Sequence, residues 1–421
     1  MKTCGRKYKL LLSFVLLLGV SEWTIRDSMA SGFERNILSS GKNAGFGGAA
    51  VSAVRGSESL LFNPAGISGV RDYDVSINIS PGSQMNGAPH SVSGHVERSG
   101  GVFQIPFTGF VSYGIGDIGG GFGVADVGSN RIVFDDVVFV ENSALRAKTE
   151  SDLNFLEYSF GMSYRIVRGL RVGAAWRITH LSGHLTTSTP HASGFTQNEF
   201  SNFSGIDLGG YRVGFQYDDF IDGWGLGASF RNRADITAEG KLKAKINNSV
   251  MGEESDTQML ITLPNELKVG IHFPFLMETN MRLEYGWTQY NSVQNLDFQK
   301  PGQIDSVFQG DVSTHFSAQT QLRIGVGKDE VIGNWAVRGG YVYTSPVVPK
   351  EFARTIFFPP ASIHSITLGT GARVDEGLNL NITLEYSFGA GDGEIQGLSE
   401  VIMREYSYKA VNVHSGITYR F

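Results

Sequence analysis

From about Tyr73 to its last residue the chain alternates apolar and polar positions with a period of two. Tyr73, Val75, Ile77 and Ile79 alternate with Asp74, Ser76 and Asn78. Leu170, Val172, Ala174, Trp176 and Ile178 alternate with Arg171, Gly173, Ala175, Arg177 and Thr179. The same rhythm runs through residues 267–273, 281–288 and 378–388. Successive side chains of a strand point to opposite faces, so each segment predicts a strand with one apolar face and one polar or glycine face. Short hinges such as Arg168-Gly169 and Asp375-Glu376-Gly377 alternate with what reads as long polar connections, residues 186–209 being one.

Two architectures carry that pattern. In a soluble sandwich the apolar faces meet in a shared core. In a membrane barrel they meet lipid, and the polar faces line the lumen. The polar faces here hold Arg and Glu together with Gly, which suits a wet lumen with a thin wall. Aromatic residues fall near strand ends, as interfacial girdles do. Short turns on one side and long loops on the other complete the asymmetry of an outer-membrane protein. Past the first thirty residues nothing approaches the ~18 apolar residues of a membrane helix, and only a closed barrel pairs every backbone group in lipid. The predicted fold class is therefore all-β, a transmembrane antiparallel barrel over residues 72–421. At about ten residues per strand plus loops, that length allows between about ten and sixteen strands. Such a barrel is too wide to fill with its own wall side chains, so it must hold water, a plug or a ligand path.

Composition agrees. Gly makes up 54 of 421 residues, well above the usual ~7%, and Phe (28) and Tyr (15) are plentiful. Residues 1–30 read as a secretory signal: Lys2, Arg6, Lys7 and Lys9, an apolar run from Leu10 to Val20, then Ser28-Met29-Ala30 for the peptidase. Its removal would leave 30 basic against 39 acidic side chains, a net of −9. That balance excludes a nucleic-acid partner, which wants a basic surface. It would also remove Cys4, the only cysteine, and with it any disulfide or thiolate metal site. The expected location is the cell outer membrane. Val411, Val413, Ile417, Tyr419 and Phe421 share one face of the last strand. Tyr419 and the terminal Phe421 resemble the signal read by the barrel assembly machinery.

Residues 31–71 break the alternation. Small residues crowd Ser39-Ser40-Gly41 and Ala44-Gly45-Phe46-Gly47-Gly48-Ala49-Ala50, and Asn63-Pro64-Ala65 follows. Such a segment can pack closely inside a lumen as a hatch. No strand-to-helix context or following Lys-Ser/Thr supports a phosphate loop. Sharper chemistry is absent too. His180 and His184, four apart, have no accompanying carboxylate in the sequence and read as a loop end rather than a metal site. Asp218-Asp219 with Asp222-Gly223 reads as a solvated turn. The expectation is no enzyme, no catalytic set, no metal and no cofactor.

Taken together, these features resemble the FadL/TodX family of outer-membrane long-chain fatty acid and hydrocarbon transporters. The likeness is carried by the N-terminal Gly32-Phe33, the Ser-Ser-Gly run and Asn63-Pro64-Ala65. It continues through Tyr164-Arg165-Ile166, Asn232-Arg233-Ala234-Asp235-Ile236, Leu263-Pro264-Asn265-Glu266 and Trp287-Thr288-Gln289-Tyr290. It ends with Asn334-Trp335, Arg338, Gly340, Ser345-Pro346-Val347 and Pro359. The resemblance implies fourteen strands, a plugging hatch containing Asn63, Pro64 and Ala65, and passive uptake of an apolar ligand, a long-chain fatty acid first, with a neutral hydrocarbon or another lipid left open because no basic residue is marked out for a carboxylate. It places Phe33 in the ligand pocket, and implies sideways release into outer-membrane lipid at an irregular strand, for which Pro106 is the candidate. Parity turns Arg171, Arg177 and Arg231 toward the lumen, and Arg177 joins Phe33 as a pocket candidate. The alternative reading is a non-transporting barrel, a scaffold or secretion partner reusing the same hatch.

Overall fold

The computed structural model describes residues 32–89, 96–99, 101–137, 147–191, 194–293, 295–299, 312–353, 360–396 and 401–421. The export signal, Cys4 and Pro359 lie outside them. Strand segments that run on from one another in register make a closed ring of fourteen antiparallel strands. These are β1 (Asp72–Ile79 and Gly82–Pro89), β2 (Val96–Arg98, Val102–Gln104 and Phe107–Ile115), β3 (Ile118–Val137), β4 (Ala147–Val167) and β5 (Leu170–His191). Next come β6 (Gly194–Ile221), β7 (Trp224–Arg231 and Ala234–Ile246), β8 (Ser249–Leu263 and Glu266–Pro274) and β9 (Asn280–Thr288 and Asn295–Gln299). The ring ends with β10 (Val312–Ser313 and Gln319–Ile332), β11 (Trp335–Thr344), β12 (Ile363–Arg373), β13 (Leu378–Gln396) and β14 (Val401–Arg420). Closure is made by β14 on β1, from Asp74 opposite Arg420 to Gly87 opposite Ser407.

Burial is inverted relative to a soluble protein. On β13 Leu380, Ile382, Leu384 and Tyr386 are exposed, while Asn381, Thr383, Glu385 and Ser387 are buried. On β4 Tyr158, Phe160, Met162 and Tyr164 are exposed, while Glu157, Ser159 and Ser163 are buried. Charge inside and apolar surface outside is stable only if the outside is lipid. Rings mark the band's edge near the short turns. Tyr73 stacks on Phe421 at 5.3 Å, and Trp224 on Phe273 at 4.5 Å.

The reading of residues 186–209 as a connection is corrected. They belong to β5 and β6, which pair as far as His191 opposite Gly194. Beyond the lipid band both faces of a strand tolerate polar residues, so the alternation fades although the ladder persists. Two other strands change hands partway up. On β7 Ser229 and Arg231 are buried, and after Asn232-Arg233 the buried set becomes Ala234, Ile236 and Ala238. On β8 the buried pattern passes from Lys268 to Leu263, Ile261 and Met259 across Pro264-Asn265. Arg233 N donates to Asn265 Oδ1 at 2.8 Å, mending the ladder where the two breaks lie side by side.

Residues 32–71 form no strand, and this segment contacts every wall strand. Gly41 N donates to Asn78 Oδ1 on β1 (2.9 Å), Thr108 Oγ1 on β2 donates to the Ser39 carbonyl (3.1 Å), and Ser68 N donates to Ser163 Oγ on β4 (2.6 Å). Ala50 and Val51 N–H groups both donate to Glu284 Oε2 on β9 at 2.8 Å. Arg323 on β10 donates to the Gly47 carbonyl, and Thr383 on β13 to the Gly41 carbonyl. A segment that touches every strand from the buried face lies inside the ring. Wall glycines make the fit possible: a Cβ at Gly173, Gly214, Gly227 or Gly340 would overlap Pro64, Asn63, Val51 or Gly47. Their places are fixed by close approach rather than by turn geometry.

Gly340→Leu should therefore cost about 1–3 kcal/mol by overpacking and raise the conductance of the purified barrel in planar bilayers. Unchanged urea stability and conductance would show that the segment is not seated against that wall.

Candidate ligand site

Three consecutive residues at the start of the described chain meet three different environments. Phe33 is buried, its ring 6.1 Å from that of Phe155 and 6.0 Å from that of Phe316. It belongs to an apolar compartment with Leu153, Leu181, Phe203, Ile236 and Ile261. The compartment exists because the breaks in β7 and β8 turn aliphatic residues inward above the charged layer. Glu34 is taken by Arg231, with Nη2 donating to Oε2 at 2.8 Å and Nη1 donating to Oε1. The Tyr290 hydroxyl donates to the same Oε2 at 3.3 Å. Arg35 then leaves the compartment for the wall.

The wall it meets is parted. The β2–β3 ladder runs from Ile115 opposite Ile118 to Thr108 opposite Ala125, and goes no further among the described residues. Beyond that point β2 keeps pairing with β1, and β3 with β4 through Val137 opposite Ala147. Pro106 lies at this level, between Val102–Gln104 and Phe107–Ile115, its carbonyl accepting from Ser80 N at 2.8 Å. β3 bulges here, between Asp126 and Gly128, and leans in so that Gln84 Nε2 reaches the Arg131 carbonyl at 2.5 Å. Arg35 spans the parted strands: Nε donates to Asp126 Oδ1 at 3.1 Å, Nη2 to Gln104 Oε1 at 3.2 Å, and its backbone N to the Val127 carbonyl at 3.3 Å. Phe103, Ile105 and Phe107 line the outer margin and are exposed. Behind the tip is a polar cavity of about 20 Å³ lined by Glu34, Arg35, Arg212, Arg231, Glu266 and Lys268, room for about one water.

Below the compartment lies an ionic layer. Arg177, fully buried, donates through Nε to Glu157 Oε2 at 2.7 Å and through Nη1 to the Asn232 carbonyl at 3.2 Å. Arg212 donates to Glu157 Oε1 at 3.0 Å and to the Leu60 carbonyl at 2.6 Å. Arg171 pairs with Asp218, which also takes Arg55 of the inner segment. Asp218 is thus an inward anchor as well as the start of a turn. Arg177 faces the lumen but does not line the cavity behind the tip, and its guanidinium is committed to Glu157.

Asn63 caps the turn Pro64–Gly69 through Oδ1, which accepts from Ala65 N at 3.2 Å. Its Nδ2 donates to the carbonyls of Val51 (2.8 Å), Phe215 (2.9 Å) and Ala228 (3.2 Å). Pro64 supplies the fixed φ of a first helical position, so Asn63-Pro64-Ala65 rivets the inner segment to β6 and β7. His180 and His184 are corrected as a loop end: both lie within β5, and His184 Nε2 is 3.2 Å from Glu150 Oε1. The fold also makes a hydroxyl–imidazole–carboxylate relay that the sequence concealed. Ser80 Oγ is 2.8 Å from His414 Nδ1, and His414 Nε2 is 2.8 Å from Glu385 Oε2. Its members come from β13, β14 and the interruption of β1, and all are buried. The relay ties that interruption to its neighbours.

The family model described as outer membrane protein transport protein (OMPP1/FadL/TodX) matches residues 25–419. The chain belongs to this family. A solved FadL homologue from Pseudomonas aeruginosa superposes with a TM-score of 0.77 at 13% identity, covering 93% of this chain and 100% of its own. The toluene transporter TodX of P. putida gives 0.73 at 16% identity, covering 94% and 99%. The monoaromatic hydrocarbon channel CymD gives 0.69 at 13% identity, covering 92% and 99%. No curated protein matches the chain by sequence. The chain is accordingly an outer-membrane channel for hydrophobic compounds, and not an enzyme.

Glu157→Gln leaves Arg177 and Arg212 buried without their counter-charge, so it should lower unfolding free energy by about 3–5 kcal/mol. Urea titration of the refolded barrel checks it. A loss below that of an exposed pair, about 1 kcal/mol, would mean that water reaches the layer.

Proposed function

We propose that this channel takes up long-chain fatty acids passively, and that its own Phe33-Glu34 occupies the ligand's place in the resting state. The carrying observation is the pairing within one short tip: an apolar ring in an aliphatic and aromatic compartment, next to a carboxylate held by Arg231 and Tyr290. A fatty acid has the same two parts. Apolar surface leaving water is worth ~0.8 kcal/mol per methylene, so a long chain can displace a single phenylalanine. Arg231 is then the residue for the carboxylate, and Arg177 holds the ionic floor beneath it.

Displacing the tip moves Arg35, two residues from Phe33, off Asp126 and Gln104. In this reading the hatch segment, fixed at Asn63-Pro64-Ala65, stays in place while its end swings. The ligand passes sideways through the β2–β3 seam near Pro106 into outer-membrane lipid, without nucleotide, metal or cofactor. We read Tyr419 and Phe421 as the assembly signal. A neutral hydrocarbon, the cargo named for TodX and CymD, would use the same compartment without engaging Arg231.

Lipids extracted from purified protein and measured by mass spectrometry test the proposal. Co-purified fatty acids, reduced in Arg231→Leu and retained or raised in Phe33→Ala, where the competing ring is gone, are expected. Neutral hydrocarbon retained equally by Arg231→Leu would replace the fatty-acid reading. An empty, folded barrel would favour a scaffold or secretion partner. In proteoliposomes Arg35→Ala should speed release of a fluorescent fatty acid into lipid, and an unchanged rate would remove Arg35 from the gate.

A further inference from the structure

At the opposite, short-turn end of the barrel lies a second cavity of about 200 Å³, between the inner segment and β10–β14. Short turns face the periplasm in outer-membrane barrels. Lys42, Arg338, Arg373 and Arg420 stand around it, with Asp329 the single carboxylate of the lining. Asn334, Asn379, Asn381 and Thr418 add neutral polar groups. Three of the cations are already engaged: Arg338 donates to Asp329 Oδ1 (2.8 Å) and Asn381 Oδ1 (2.9 Å), Arg420 donates to Asp74 Oδ2 (2.5 Å), and Arg373 has a partner of its own.

Among the described residues Lys42 makes no hydrogen bond or ion pair. Its backbone is fixed by its neighbours: the Gly41 N–H donates to Asn78 and the Gly41 carbonyl accepts from Thr383, while Asn43 is held by Ser40 and Glu58. The turn thus holds the Lys42 backbone at the edge of the cavity. Arg338 Nε, facing the same region, is buried without an acceptor. Burial pushes the Lys42 ammonium down to about 8, against which the Asp329 carboxylate pulls upward. Lys42 is half-buried at the cavity and Asp329 offsets only part of its desolvation, an arrangement that a bound anion would relieve.

We propose that this periplasmic cavity is a binding site for a small oxyanion, a carboxylate or a phosphate, with Lys42 as its central ligand. The anion joins the inner segment, through Lys42, to the wall, through Arg373 and Arg338. The site lies at the other end of the barrel from the Phe33 compartment and does not depend on the transport reading.

Calorimetric titration of inorganic phosphate into the detergent-solubilised full-length barrel at neutral pH and fixed ionic strength tests it, with butyrate as a competing second probe. One site is expected. Lys42→Met should weaken it by about tenfold or more, as loss of a charged hydrogen bond does, and Lys42→Arg should retain it. Competition by butyrate assigns the site to oxyanions generally, and none assigns it to phosphate; either supports it. Phosphate also stabilises proteins by surface exclusion, so thermal shifts count only as differences between the parent and Lys42→Met. Equal affinity in the parent and Lys42→Met, or no binding to a barrel that keeps heat-modifiable migration, overturns the site.

Discussion

The structure depends on one requirement: each backbone N–H and C=O in lipid must find its partner within the wall. The requirement is met by closing β14 on β1, and the side chains around that closure carry the inner segment as well. Asp74 of β1 accepts from Arg420 of β14 and from both the N–H and the hydroxyl of Ser57. One carboxylate therefore fastens first strand, last strand and inner segment together. With the ring closed and lipid outside, the lumen is the place left for charge. Glu157, Glu284, Arg177, Arg212 and Arg323 are buried there as partners of one another or of the inner segment's backbone.

That charge does two kinds of work. Around Glu284 and Arg323 it binds backbone groups of residues 36–51, which have no strand or long helix of their own to satisfy them. Arg282 lies over the Phe46 ring at 3.7 Å, so an apolar residue of the inner segment is also held by a cation. Around Glu157 the charge ties β4, β5 and β6 to one another and, through Arg212, to the Leu60 carbonyl of the inner segment. Replacing such pairs with apolar side chains would not obviously destabilise the barrel. Their use is to fix where the greasy and the ionic parts of the path meet.

How much of this is legible in the sequence depends on the range of the interaction. Alternation is local, so the strands of the lipid band, their lipid faces and the inward parity of Arg171, Arg177 and Arg231 could all be read. The extramembrane half of β5 and β6 could not, because solvent on both sides erases the pattern. The inward switch on β7 and β8 leaves a trace, Asn232-Arg233 and Pro264-Asn265, but its meaning needs the two breaks to be seen side by side. Arg35 bridging Asp126 and Gln104, and Ser80 with His414 and Glu385, join residues up to hundreds of positions apart. No spacing rule reaches them. Pro106 was visible as an irregularity in the chain, whereas the parting beside it belongs to the pairing of β2 with β3.

The wall has two joints of different strength. The joint at which the ends of the chain meet is paired along nearly the whole of β1, from Asp74 to Gly87. The ladder between β2 and β3 stops at Thr108, and beyond it Arg35 of the inner segment bridges the two strands. A cargo released sideways at the β2–β3 joint, as proposed above, would leave the pairing of first strand with last untouched, so the ring could part without losing the contact that closes it.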